Sequence, residues 1–421
     1  MNNGFPKNFR KMPIQERRDH LKSAFHLTEK EMEAIDGKNS YLEVTDVMIE
    51  SGIGLFPVPL GLATGFLIDQ REYSVPMATE EPSVIAAASH GARIVAAGGG
   101  FHTWATDPVM TAQLYIEGVP AGEEEKIYLA SVEIGNELDK SMPSMKARGG
   151  GYRGLEVTRL PVTGLVNVNI DIDVRDAMGA NVVNTAAEKI RSMIEKISGG
   201  KILMSILTNT APHRRAGASF RVPFRFLRYK DFLGSEISSK IELASHLALE
   251  APSRAVTHNK GIMNGIVALT LATGNDTRAV ESAAHHYASI SGAYKALSRF
   301  EVKDGNLEGS LEIPLPLGTV GGAVTMHPGC QTSMKILGNP DAQILCRIAA
   351  ALGLAQNLAA LLALVSEGIQ QGHMKLHASR IAYMVGARGK EIKVLVKKMW
   401  ESGTLAAKAA TKLLDDIRGK E

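Results

Sequence analysis

The stretch THNKGIMNG, Thr257 to Gly265, sets Lys260 among neutral polar residues in a short run punctuated by glycines. An ammonium in that setting can stand over an oxygen that gains charge in a transition state. A helix C-cap with a solvated lysine fits the same residues equally well. Further on, Asp276 in TGNDTR opens a helical pattern, where an aspartate ordinarily caps the first N–H groups, although it can also hold Lys260 in place. Glu80 and Glu81 precede Pro82 and a run of small residues, a place where carboxylates serve the helix dipole. A buried Glu81 beside a cation would instead shuttle a proton to a carbonyl oxygen. His373 and His377, in GHMKLH, have the spacing of a metal pair. No third ligand accompanies them and the run is not H-E-x-x-H, so no metal is expected, and a histidine after a glycine at a hinge reads better as a mobile general acid. Cys330 in HPGC offers a rival chemistry, a thiol nucleophile of an acyltransferase or thioesterase.

Two further segments suit a phosphate-bearing ligand. DAMGAN, Asp176 to Asn181, opens a helix directly after a strand, so its glycine lets backbone approach while the helix N-terminus offers unpaired N–H groups. It is not G-x-G-x-x-G, and alone it reads more readily as a tight turn. Gly149, Gly150 and Gly151 lie between Arg148 and Arg153 in KARGGGYR, a flexible cationic loop. Together the two segments make a dinucleotide pocket reasonable.

These residues need elements to hold them. Val166 to Val174 alternates strictly between apolar and polar, a strand with one core face. It feeds the DAMGAN turn, a helical pattern over Val183 to Ile197 and a second strand over Lys201 to Leu207. Helices are also expected over Ile14 to Ala34, Pro82 to Ala97, Phe232 to Leu249, Asn275 to Tyr294 and Pro340 to Val365, with a strand over Leu307 to Pro316. A chain of 421 residues exceeds what one core organises, and a boundary is expected near residue 105. With 45% apolar residues, 22% charged residues and net charge +3, it reads as an ordinary globular chain without a nucleic-acid footprint. Cys330 and Cys346 are the only cysteines and form no C-x-x-C pair, which points to a reducing, cytoplasmic setting. The polar start argues against an export signal. Ile53 to Ile68, interrupted by Pro57 and Pro59, and Ile344 to Val365, carrying Arg347, Gln356 and Asn357, read as core rather than membrane spans.

Five blocks, PMATEEPSVIAAAS, GGGYR with DVRDAMGANVVNT, RAVTHNKGIMNG, ATGNDTRAVE and GLAQNLAALLALVSEGIQQGHMKLHA, together resemble the 3-hydroxy-3-methylglutaryl-CoA reductases, specifically their soluble class II branch. One departure is visible, since the family usually reads ENVIG where this chain has Glu50, Ser51, Gly52, Ile53 and Gly54. The resemblance implies an α+β fold: a large mixed domain around a long central helix (1–105 and 211–370), an inserted small ferredoxin-like, non-Rossmann dinucleotide-binding domain (106–210) and a mobile helical C-terminal flap (371–421). It implies catalytic roles for Glu81, Lys260, Asp276 and His373. Substrate contacts fall on Ser83, Asn209, Arg254 and Asn264, with Arg10, Gln356 and His377 near coenzyme A. Dinucleotide contacts fall on Asp176, Met178, Gly179 and Asn181, beside the Gly149 and Gly150 loop. The implied activity is reduction of the thioester to mevalonate by two hydride transfers, in a homodimer with shared active sites. The stretch LDKSMPSMKARGGG holds both Asp139 and several cations and looks more like the NADPH-using members than the NADH-using ones. A non-catalytic acyl-CoA binding protein is the remaining rival, and it would tolerate loss of Lys260, Asp276 and Glu81.

Overall fold

The computed structural model describes residues 6, 9, 12–35, 47–51, 53, 55–366 and 378–419, so Arg10, His373 and His377 lie outside it. Among the described residues the strands are β1 (Leu60–Ile68), β2 (Arg71–Ala78), β3 (His102–Ala105), β4 (Val109–Glu117), β5 (Gly151–Arg159), β6 (Val166–Asp173), β7 (Lys201–Leu207), β8 (Arg215–Pro223), β9 (Ser298–Lys303) and β10 (Asn306–Pro314). They pair antiparallel throughout, as a β1-β2 hairpin and two four-stranded sheets ordered β3-β8-β10-β9 and β5-β6-β4-β7. With long helices packed between them, the architecture is mixed α+β.

Alternation explains the second sheet. Val166, Val168, Ile170 and Ile172 on β6 are fully buried beside Met110, Ala112, Leu114 and Ile116 on β4. On the opposite face Asn169 accepts from Gln113 at 3.2 Å and Asp171 from Thr111 at 2.5 Å. Strands β6 and β7 flank β4, and the chain between them forms helices Ala180–Lys189 and Arg191–Ser198, a split β-α-β unit. The single helix expected over Val183 to Ile197 is therefore two, broken at Ile190. This sheet owns a cluster of buried apolar residues distinct from the larger one built on the other strands and the helices Val84–Ala97, Pro252–Ala272 and Ala342–Val365. A third cluster, with Ala378, Leu395, Met399 and Leu414, joins helices Lys390–Glu401 and Ala407–Arg418.

Helix Ala342–Val365 is the one described helix long and apolar enough to cross a bilayer, and 78% of its most apolar window is buried. Its small residues let neighbours approach closely. A Cβ on Gly91 would overlap the Ala355 carbonyl, and Gly353 lies against Ile262 and Ile266. Helix Val84–Ala97 and helix Pro252–Ala272 are thereby drawn onto one central helix.

Three further expectations need correction. Lys260 lies in the interior of the 21-residue helix Pro252–Ala272, not in a loop or at a C-cap; the glycines at 261 and 265 face neighbouring side chains of the central helix rather than a turn. The stretch from Ile53 is not core throughout, because Ile53 and Phe56 are exposed and burial begins at Ala63. The glycine run at 149–151 is not a loose loop, because Gly151 starts β5 and the Gly149 carbonyl accepts from Arg153 (3.1 Å) and Arg175.

Candidate active site

Glu81 stands in the turn between β2 and helix Val84–Ala97, its N–H donating to Thr79 Oγ1 at 3.2 Å. The chain then enters the helix through Ser83, whose φ of +78° is the left-handed conformation that side-chain-bearing residues avoid. Such strain, of order 1–3 kcal/mol, persists only where the surroundings dictate it. Two residues before it the Glu81 side chain meets helix Pro252–Ala272, where Lys260 Nζ donates to Glu81 Oε2 at 3.2 Å. The ion pair keeps its lysine 61% and its glutamate 37% exposed, so it is open to a ligand. Asn264 follows Lys260 by four residues on the same helix face and is half-buried. Arg254 is half-buried near the start of that helix, and Asn209 is exposed in the turn after β7.

Behind Lys260 the helix is locked by buried polar groups. Asn259 donates to the Lys295 carbonyl (2.9 Å) and accepts from Leu297 N (2.9 Å). His258 Nε2 lies 2.6 Å from Ser298 Oγ, which gives its proton to Asn357 Oδ1 at 2.7 Å, while Asn357 Nδ2 donates to the His258 carbonyl at 3.3 Å. His258 is therefore the Nε2–H tautomer, with a buried Nδ1 that lacks a partner among the described residues. Burial, with a lesser contribution from Arg254, pushes its pKa down to about 4. These contacts fix the rotation of the helix. Residues 258 and 259 face inward, and Lys260 faces out.

Asp276 does not hold Lys260 in this chain. It caps helix Thr277–Ser289, accepting from Arg278 N at 2.9 Å and Ala279 N at 3.2 Å, and pairs with the Arg278 guanidinium at 3.1 Å. Burial raises its pKa, but the Arg278 side chain and the two N–H groups outweigh it and hold the carboxyl below its ordinary value. Distance forbids the expected contact. Ten helical residues separate Lys260 from Thr270, roughly 15 Å at 1.5 Å per residue, and Asn275 N bonds the Thr270 carbonyl.

The dinucleotide candidates gather elsewhere. Gly179, at φ +107°, starts helix Ala180–Lys189 without a side-chain cap, so its first N–H groups remain available to an anion. Asn181 is exposed on its first turn and Met178 is half-buried. Asp176 spends Oδ1 on Ala342 N (3.0 Å), the first residue of the central helix. Asp173 is fully buried between Arg153 and Arg175. Beside them Gly150 packs against the Asp173 carbonyl. Asp139 is committed to Lys146 and to Tyr152 N (2.9 Å). Gln356 is 4% exposed, packed on Gly265, and its Oε1 has no partner among the described residues.

Sequence reasoning missed Arg380, which donates to the Glu80 carbonyl at 2.6 Å and so ties the C-terminal helical region to the glutamate turn. No motif marks it; only the fold brings residues 300 positions apart together. Cys330 disappoints the thiol alternative. It is 8% exposed, and burial pushes its pKa up to about 11, so the nucleophilic thiolate is suppressed. His327 Nδ1 accepts from Gly329 N, which leaves that nitrogen unable to serve as its base.

The family model for hydroxymethylglutaryl-coenzyme A reductase matches residues 13–378. The 3-hydroxy-3-methylglutaryl-coenzyme A reductase of Archaeoglobus fulgidus is 43% identical over 416 residues, spanning 97% of this chain and 94% of that protein. The corresponding reductase structure from Streptococcus pneumoniae superposes with a TM-score of 0.83 at 38% identity, covering 98% of this chain and 99% of that one. A structure of the class II enzyme from the same organism, bound to NADPH in open conformations, gives 0.82 at 39% identity over 86% and 99%. With the lysine, glutamate and aspartate blocks in place on this fold, the chain belongs to the hydroxymethylglutaryl-CoA reductase family, in its class II branch.

Proposed function

We propose that the chain reduces the thioester of 3-hydroxy-3-methylglutaryl-CoA to mevalonate and free coenzyme A, and that the Lys260–Glu81 pair is the centre of that chemistry. The observation carrying this reading is an exposed ammonium rigidly aimed by the buried His258–Ser298–Asn357 network, hydrogen-bonded to a carboxylate on a strained turn. The ammonium neutralises the oxygen of the thioester carbonyl as it gains charge, a contribution of ~3–4 kcal/mol in comparable oxyanion sites. The hemithioacetal then collapses to mevaldehyde and the coenzyme A thiolate, which His373 protonates. Glu81 supplies a proton to the aldehyde oxygen in the second half. Ser83, Asn209, Arg254 and Asn264 hold the acyl group, and Arg10, Gln356 and His377 serve the coenzyme A moiety.

The residues around 149–181 fit a dinucleotide. The uncapped helix start at Gly179 suits a pyrophosphate, and the Asp176, Met178, Gly179 and Asn181 loop and the Gly149 and Gly150 turn line its approach. With Asp139 already paired to Lys146 and Arg148 exposed, the local balance favours a 2′-phosphate, hence NADPH. NADPH is also what the similar Streptococcus pneumoniae structure binds. Each reduced nicotinamide would supply one hydride when bound, so two must bind in turn at this one site. Residues 106–210 act as the ferredoxin-like dinucleotide domain, 1–105 and 211–370 as the substrate domain, and 371–421 as a flap that Arg380 docks beside Glu81.

Lys260 and Asp276 serve one reaction from different copies of the chain. Their separation along the lysine helix supports this reading, and the exposed apolar run Val47, Ile49, Ile53 and Phe56 offers a surface for a homodimer. The test is absorbance of the reduced nicotinamide with 3-hydroxy-3-methylglutaryl-CoA, with two NADPH expected per coenzyme A released. No consumption sinks the proposal, and full activity of Lys260→Ala sinks the role of the lysine.

A further inference from the structure

Asn275, just ahead of Asp276, spends its side chain on another element. Its Oδ1 accepts the N–H of Gly318 at 2.7 Å and its Nδ2 donates to the Gly318 carbonyl at 3.0 Å, so one amide grips both polar groups of one residue. The second Nδ2 proton goes to Thr273 Oγ1 at 3.1 Å, which fixes the amide's orientation. Gly318 in turn lies against the Asp176–Gly179 loop so closely that a Cβ would overlap Met178 N. Just after it, Thr319 N donates to the Asp176 carbonyl at 2.8 Å and Val320 bridges Ala177. Arg214, 3% exposed, ties the Leu317 carbonyl to those of Ala177 and Met178, both at 2.9 Å. Residues 317–320 are thus a strap, zipped to the loop on one side and held by Asn275 on the other.

We propose that Asn275 is a positioning residue which, through Gly318, sets the Asp276 carboxylate in register with the loop at 176–179. The proposal rests on the reductase reading above and goes beyond it by assigning how one copy of the chain delivers the aspartate and the dinucleotide loop as a single unit. The Asp276 side chain is occupied with its own helix cap and Arg278, and makes no bond to the loop. The neighbouring amide supplies the link. Without it, both Gly318 groups lose that partner, and the strap follows the loop alone. A displacement near 1 Å of groups that must meet reacting atoms costs on the order of 100-fold in rate.

The experiment uses the full chain as wild type, Asn275→Ala, Gly318→Ala and the double variant. It reads turnover with 3-hydroxy-3-methylglutaryl-CoA, NADPH affinity by nicotinamide fluorescence, and thermal unfolding. Asn275→Ala is expected to lower kcat about 100-fold. Its KM for the thioester and its affinity for NADPH should stay within about threefold and its melting temperature within a few degrees, because the loop itself is untouched. Gly318→Ala presses on Met178 and should weaken NADPH binding about tenfold or more. Gly318→Ala, which displaces the same strap, should lower kcat as well, and in the double variant the loss of kcat should fall well short of the product of the two single losses, since both act through one contact. Wild-type protein that consumes no NADPH overturns the reductase reading and the strap with it. An active wild type beside an Asn275→Ala variant of near-normal kcat overturns the strap alone. So does a loss of kcat matched by equal losses in both affinities and in melting temperature, the signature of a turn residue that only supports the fold.

Discussion

Glu81 and Lys260 lie 179 residues apart in sequence and 3.2 Å apart in the fold, and two residues after Glu81 the chain passes through the strained Ser83 into helix Val84–Ala97. Replacing Ser83 by glycine removes left-handed strain of order 1 kcal/mol and adds about 0.5–1 kcal/mol of glycine entropy, so the two offset. The melting temperature of Ser83→Gly should therefore stay near wild type. Loss of the hydroxyl should raise KM for the thioester, whereas Ser83→Val should melt several degrees lower. A calorimetric scan beside steady-state kinetics separates the effects, and a Ser83→Gly variant with unchanged KM would remove Ser83 from the substrate contacts. Cys330 gives the opposite expectation. Because its thiol is buried and its pKa is raised, Cys330→Ser should keep turnover while the buried hydroxyl lowers stability by about 1–3 kcal/mol. Abolished turnover in a folded Cys330→Ser protein would revive thiol chemistry.

At the scale of elements, His258 makes the lysine helix sensitive to pH. Its pKa is about 4 in the folded chain against 6.5 as the ordinary value, so between those limits the unfolded chain binds the extra proton. Stability due to neutral His258 is full above about pH 6.5 and falls as pH drops toward 4, by on the order of 3 kcal/mol in all. Urea midpoints at pH 7 and pH 4.5 should show this loss, and it should shrink in His258→Asn; an identical loss in both proteins would refute the assignment. Why this helix was not legible in the sequence follows from the same residues. Histidine, asparagine, two glycines and exposed Lys260 break the apolar period that announces a helix, because its buried side is made of hydrogen-bonded polar groups and close glycine contacts. Strand β6 was legible for the converse reason, four fully buried aliphatics in strict alternation. The expected contact of Asp276 with Lys260 does not form within one chain, because sixteen residues look close in a loop and are far apart once most of them are helical.

At the scale of the molecule, that separation decides what a single chain can and cannot do. In the proposed reaction Glu81 and Lys260 form one half of the site, Glu81 in the turn before helix Val84–Ala97 and Lys260 on helix Pro252–Ala272, both helices packed on Ala342–Val365. On the same reading Asp276 and the 176–181 loop form the other, linked through Asn275 and the strap at 317–320. If the halves of two copies face each other, a dimer holds two sites, and damage to different halves can be sorted between them. Lys260→Ala and Asp276→Ala should each be inactive alone. Unfolded together and refolded as a mixture, about half of the dimers are mixed by random pairing, and each mixed dimer keeps one intact site, so roughly a quarter of wild-type activity should return. Glu81→Gln mixed with Lys260→Ala should recover nothing, since both lesions lie in the same half and every pairing leaves each site with one of them. Recovery in that second mixture would put Glu81 and Lys260 in different copies, against their 3.2 Å contact within one chain; none in the first, when mixed dimers are demonstrably present, would place Lys260 and Asp276 in one copy and contradict the helix geometry that separates them.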